Sequence, residues 1–184
     1  MPKAERRKPF SSVGLAITAY AALAGVALVD AFYSAAPPPV TPGSLVIPVQ
    51  GVSAGELRRQ FREQRSGGRA HYAIDIRAAR GTPVLAADDG SIARLTENRL
   101  GGLTLHQLDG AKRRVYYYAH LQRYASGLAE GASVRRGQVI GYVGTSGNAP
   151  EQAPHLHFAV SSLSEGEAWW KGTPLDPYDL LIRR

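Results

Sequence analysis

The sequence predicts an all-β domain of antiparallel strands, preceded by one membrane-spanning helix. Three observations carry that reading. Short runs of alternating apolar and polar residues recur from about residue 73 onward, bounded by Gly, Asp-Gly and Gly-Gly turn signals. The chain holds 20 Gly and 12 Pro among 184 residues, a density that favours turns over long helices. Near the amino terminus, a charge-free apolar run stands apart from everything after it.

That run comes first in the chain. Lys3, Arg6, Arg7 and Lys8 precede it, and residues 13–29 carry no charged side chain. This is the lower limit for a bilayer-spanning helix, and Ala31, Phe32 and Tyr33 extend it past Asp30. Basic residues in front place residues 1–12 on the cytoplasmic side and export the rest. The expectation is an inner-membrane anchor over 13–33 with a periplasmic domain behind it. The alternative is a signal peptide cleaved near Ser34-Ala35-Ala36, with secretion as the outcome, although Pro37 would follow the cut unfavourably. Residues 34–44 form a Pro-rich linker whose three consecutive prolines favour an extended spacer. The folded domain is expected over 45–184.

Within it, residues 45–49 read as a short edge strand because Pro48 interrupts them. Residues 53–65 read as the one helical turn or short helix, with Leu57 and Phe61 at i, i+4 on one face. Strands are then expected over 73–77, 83–87, 91–96, 103–108, 115–121, 139–143 and 156–161. The tail over 169–180 is aromatic and contains prolines, and is expected to pack across the sheet rather than form a helix.

Composition narrows the chemistry. There is no cysteine, which removes disulfides, thiolate catalysis and thiolate metal sites and leaves His, Asp and Glu as ligands. Hydrophobic content of 44% supplies a core. The formal net charge is +7, and an excess of +5 remains once residues 1–39 are set aside. Such an excess favours an anionic partner, including an acidic cell-wall polymer. The basic residues are scattered, with no nucleic-acid-binding signature.

Four of the five histidines fall in three motifs. In His155-Leu156-His157-Phe158-Ala159-Val160, strand alternation puts both histidines on one face and Leu156, Phe158 and Val160 in the core. Same-face neighbours lie about 7 Å apart along a strand. That suits one imidazole holding a metal while the other works on a water. In His71-Tyr72-Ala73-Ile74-Asp75, a straight strand would separate His71 from Asp75 by about 13 Å. Both reach one ion only if the chain bends before the strand, with Ser66-Gly67-Gly68 as slack. In Tyr116-Tyr117-Tyr118-Ala119-His120-Leu121, alternation groups Tyr116, Tyr118 and His120 on one face. His106 reads as an exposed polar position. Trp169 and Trp170 read as packing residues that could also wall a groove.

Together these motifs resemble the lysostaphin-type (LytM-like) zinc endopeptidases that cut peptide bridges of bacterial peptidoglycan. The family's His-x-Gly-x-Asp, Tyr-x-His and His-Leu-His-Phe correspond to His71…Asp75, Tyr118-Ala119-His120 and His155-Leu156-His157-Phe158, in that order. Gly81-Thr82-Pro83-Val84 and the run from Gly137 to Asn148 resemble the family's connecting text, so the likeness covers about residues 66–161. The resemblance implies an antiparallel β-sheet or sandwich (duplicated hybrid motif) with a central groove. It implies one Zn2+ per chain on His71, Asp75 and His157, with His120 and His155 assisting catalysis and Tyr118 stabilising an oxyanion. The implied partners are peptidoglycan peptide stems. Thr145, Ser146 and Asn148, in a Gly-rich loop before the HxH strand, are expected to line the groove. One departure is Ala73, where the family has glycine; its methyl could shift the His71–Asp75 geometry. The rival expectation is a non-catalytic LytM-like regulator that activates other wall hydrolases. Relatives of that kind lack zinc ligands, and none is missing here.

Overall fold

The computed structural model describes residues 45–65 and 68–183. The anchor, the linker and the Ser66-Gly67 slack lie outside the described residues. Among the described residues, no helix is long and apolar enough to cross a membrane.

The architecture is an antiparallel β-sheet, as the alternation predicts. Two short strands, β1 (Glu63–Gln64) and β2 (Ala70–His71), form a hairpin. Nine more, β3 (Ile74–Arg77), β4 (Pro83–Leu85), β5 (Gly90–Asn98), β6 (Gly102–Asp109), β7 (Arg114–Tyr124), β8 (Ser133–Val134), β9 (Val139–Val143), β10 (His155–Ser162) and β11 (Thr173–Leu175), join in one sheet among the described residues.

Two strands organise the sheet. One edge of β10 pairs first with β3 and then with β11, while its other edge pairs with β7. Strand β7 runs from Arg114 to Tyr124 against β6, and along its opposite edge it exchanges β10 for β9. The exchange falls at His120. There three steps along β7 (Tyr118 to Leu121) face two along β6 (Leu103 to Leu105), which is a β-bulge. His120 takes φ +61, a left-handed conformation that an L-residue adopts only under constraint.

Burial follows the pleat. On β10, Leu156, Phe158 and Val160 are fully buried while His155, His157 and Ala159 are partly exposed. Phe158 lies against the rings of Tyr116 and Tyr118, with centroids 6.3 and 5.2 Å away. Ile74, Val84, Ile92, Leu105, Leu121 and Ile140 complete the core beneath the sheet.

Three expectations are corrected. Residues 45–49 form no strand. Val49 makes an isolated bridge to Val84, and Val46 N–H donates to Ala87 O at 2.9 Å, so the segment lines β4 without a continuous ladder. Of residues 53–65, only Ala54–Glu56 form a helical turn, a 3-10 turn with a Ser53–Glu56 capping box, and the segment then gives way to extended chain. Leu57 is buried, and Arg59 pairs with Asp176 and Asp179, so tertiary contacts pull this segment across the domain. The tail does contain a helix, α1 (Pro177–Ile182). Asp176 caps it by accepting from Tyr178 N–H at 3.0 Å, and Pro177 occupies the first turn, where its missing N–H costs nothing.

Gly102 holds the bulge in place. It takes φ +64, and a Cβ there would lie 2.2 Å from the Ser146 carbonyl carbon. Gly102→Ala is expected to cost about 2 kcal/mol or more, from the left-handed backbone alone plus the overlap. A lowered urea midpoint with an unchanged m-value would show it.

Candidate active site

The bulge, β10 and the β2–β3 corner meet at one end of a groove of about 520 Å³. His71 closes β2 and Asp75 lies in β3. Tyr72 and Ala73, outside both strands, make the required bend just before β3. Ala73 is buried, and its methyl does not keep the flanking side chains apart.

His71 Nε2, His157 Nδ1 and Asp75 Oδ1 form a triangle. Its edges are 3.2 Å between the imidazoles, 3.2 Å from His71 to Asp75 and 2.9 Å from His157 to Asp75. Ligands at zinc distances of 2.0–2.2 Å in a tetrahedron stand about 3.3–3.5 Å apart, close to the size of this face. The protons fit too. His71 Nδ1–H donates to Gln60 O at 3.3 Å, so its Nε2 presents a lone pair 3.2 Å from a carboxylate oxygen. Two acceptors facing each other call for a cation between them, and the donor set suits a divalent metal.

Asp75 is ionised despite its surroundings. Burial pushes its pKa up, but the hydrogen bonds from His157 and Arg65 outweigh burial and hold it well below the carboxylate range. Gln60 Oε1 accepts from Asp75 N–H at 2.8 Å, so one glutamine supports both His71 and Asp75. Arg65 Nη2 contacts Asp75 Oδ2 and donates to His71 Nε2 at 2.9 Å.

His155 and His120 stand on the open side of the triangle. His155 Nδ1–H donates to Ala153 O at 2.8 Å, and its Nε2 lies 3.9 Å from Asp75 Oδ1. His120 Nδ1–H donates to Ser146 O at 2.8 Å, which leaves its Nε2 free as a base. Their rings are 4.9 Å apart. Burial lowers the His120 pKa to about 4, so this imidazole is neutral at neutral pH.

Several expected positions move. Tyr118 is not in the groove: it is fully buried, and its hydroxyl donates to Gln107 Oε1 at 2.6 Å and accepts from Ala87 N–H at 2.9 Å. Alternation does not run through to His120, because the bulge inserts an extra residue. Tyr117, Ala119 and His120 therefore all line the groove, and the Tyr117 ring stands 6.1 Å from that of His157. Of the three loop residues, Asn148 lines the groove. Ser146 instead braces the bulge, donating to Leu121 O and accepting from Leu103 N–H. Thr145 accepts from Arg80 at 2.6 Å away from the lining. His106 is not an open polar position but lies between the rings of Tyr117 and Trp169, with centroids 4.7 and 4.6 Å away. Gln60, Arg65 and Tyr117 escaped the sequence reading. Nothing in the local pattern marks the first two, and Tyr117 is displaced by a bulge that alternation cannot foresee.

Two imidazoles and a carboxylate on an open groove are the donor set of a hydrolytic metal centre. Residues 69–177 match Peptidase family M23, and the chain belongs to that family, the lysostaphin-type (LytM-like) peptidoglycan endopeptidases. It is 36% identical over 117 residues to an L-Ala--D-Glu endopeptidase of Bacillus subtilis, across 61% of this chain and 34% of that protein. It is 37% identical over 91 residues to the glycyl-glycine endopeptidase ALE-1 of Staphylococcus capitis, across 48% of this chain and 24% of that one. The chain thus spans about a third or less of these relatives. Among solved structures, the catalytic domain of lysostaphin from Staphylococcus simulans superposes with a TM-score of 0.60 and 27% identity, over 71% of this chain and 96% of that domain.

Tyr118→Phe strands two buried partners and is expected to cost about 1–3 kcal/mol in chemical denaturation, while activity of the folded protein persists. His106 gives a pH signature. Burial lowers its pKa to about 4, against about 6.5 when unfolded. The unfolded chain therefore binds more protons between these values, and stability falls as pH drops from about 6.5 to about 4. Urea titrations across that window should show a shallower slope in His106→Gln, with the rest carried by His120 and, toward pH 4, by carboxylates such as Asp75 whose pKa is lowered in the fold.

Proposed function

We propose that this chain is a zinc metalloendopeptidase that hydrolyses peptide cross-links of bacterial peptidoglycan. We further propose that it acts outside the cytoplasm, held at the inner membrane by residues 13–33. The observation that carries the catalytic reading is the His71–Asp75–His157 triangle open to a groove. Membership of Peptidase family M23 and the +5 excess beyond residue 39 agree with a wall substrate.

His71, Asp75 and His157 would hold one Zn2+. Bound there, zinc polarises a carbonyl and brings the pKa of water to about 7. The remaining work belongs to the chain. Gln60 fixes the His71 tautomer and the Asp75 backbone, so the ligands stand ready without rearrangement. His155 and His120, with their Nδ1–H groups committed to carbonyls, turn Nε2 toward the groove. Each can accept a proton from the attacking water and return one to the leaving amine. The lowered pKa of His120 keeps it available as a base, and its imidazolium form, once made, is a hydrogen-bond donor to a developing oxyanion.

The test uses the full chain loaded with zinc and incubated with intact sacculi, with released muropeptides read by mass spectrometry. Loss of cross-linked dimers, abolished by chelator, is the expected result. His157→Ala should lose both zinc and cleavage. His155→Ala and His120→Ala should keep about one zinc per chain and lose about 10²–10⁴-fold in rate. Failure to bind zinc would overturn the catalytic reading in favour of the non-catalytic regulator.

A further inference from the structure

We propose that Arg65 and Arg69 form a carboxylate-binding rim, and that the peptide cut here carries a free carboxylate close to the scissile bond rather than being a neutral glycine bridge. This rests on the endopeptidase reading above and names its substrate class.

The charge balance of the groove is one-sided. Its lining includes two arginines, Arg65 and Arg69, and one carboxylate, Asp75. That carboxylate is already engaged by His71, His157 and Arg65. Arg69 makes no ion pair among the described residues. A divalent metal at the triangle would add further positive charge.

The backbone sharpens the point. In the β1–β2 hairpin, Glu63 faces His71 and Gln64 faces Ala70. The next facing pair is Arg65 and Arg69, joined by Arg65 N–H to Arg69 O at 2.9 Å. Side chains directly opposite in an antiparallel pair share a face, and like charges so placed destabilise the hairpin. Both arginines nevertheless line one groove, where an anion bridging them would turn the repulsion into binding.

Arg65 is also built to change partners. It now donates to the His71 Nε2 lone pair as well as contacting Asp75 Oδ2. A metal taking that lone pair leaves Arg65 on Asp75 Oδ2 alone and frees N–H groups of a side chain that is 44% exposed. A planar guanidinium fork with free N–H groups matches a carboxylate in two-point contact. A glycine bridge offers only neutral amides and gains nothing specific from two arginines. The two relatives above divide along this line by their names, since an L-Ala–D-Glu linkage carries a carboxylate at the cut and a glycyl-glycine linkage does not.

The carboxylate can belong to an acidic residue or to the peptide's C-terminus, and the experiment separates these. Four matched fluorescent stem peptides carry the acidic residue free or amidated, each with a free or blocked C-terminus; a pentaglycine peptide is the neutral control. Binding to the full chain is read by anisotropy with zinc chelated, where Arg69 is the groove arginine without an ion pair among the described residues. Turnover is read with zinc added, where Arg65 is released from His71 as well. The acidic-residue carboxylate is expected to tighten binding about tenfold over its amide, with the C-terminus blocked. In Arg69→Gln that ratio should collapse toward one, and Arg69→Lys should restore part of it. Discrimination that follows only the C-terminus would support the rim and assign it to a terminal carboxylate. A ratio of one at both carboxylates in the unmodified chain would overturn the proposal, as would a ratio unmoved by Arg69→Gln. Cleavage of pentaglycine as fast as the acidic peptide would sink it while leaving the endopeptidase standing. A tenfold ratio without cleavage of any peptide would retain the carboxylate rim and sink the endopeptidase.

Discussion

The structure depends on one strand being buried on a single face. Leu156, Phe158 and Val160 of β10 pack into the core without exposure, and Phe158 is held among Tyr116 and Tyr118. Slipping the strand by one residue would exchange these for His155, His157 and Ala159, placing two imidazoles in an apolar interior. The core thus sets where the histidines point, and the hydrogen-bond ladders to β3 and β7 set how far along the groove they stand.

Against this fixed strand, the other site residues arrive through irregularities. The break at Tyr72–Ala73 folds His71 back over Asp75, and the bulge at His120 turns that side chain out of the alternation of β7. Gly102, Ser146 and the Gly101 carbonyl brace the bulge, the last by accepting His120 N–H at 2.8 Å. A left-handed histidine costs energy; here the surrounding hydrogen bonds hold it, and it lies where β7 passes from β10 to β9. Strain concentrated beside candidate catalytic groups is the usual place for it.

Electrostatics follows from that placement. Asp75 keeps its charge because His157 and Arg65 donate to it, while burial keeps His120 neutral. The groove therefore combines a carboxylate, an uncharged imidazole and two arginines, a division of charge that no single residue's chemistry supplies. Burial likewise removes Tyr118 from the chemistry and commits its hydroxyl to Gln107 and Ala87.

The sequence alone determined the all-β class and most strand positions, which rest on local alternation and turn residues that one dimension displays. The residues of the triangle were legible only through the resemblance of three short motifs to a known family. Strand β9 was legible to the residue, since 139–143 is a short apolar run between glycines. The tertiary structure decided the rest. Residues 53–65 have a helical pattern, but Leu57 is drawn into the core, Arg59 to α1 and Gln60 to Asp75, and those distant contacts outweigh local propensity. The facing of Tyr117 and Tyr118 depends on one extra residue opposite β6, a pairing that alternation along β7 cannot encode. The roles of Gln60 and Arg65 arise only because a chain reversal brings them to residues up to fifteen positions away. Periodicity is a property of neighbours along the chain, whereas register, bulges and support for the site are properties of neighbours across the fold.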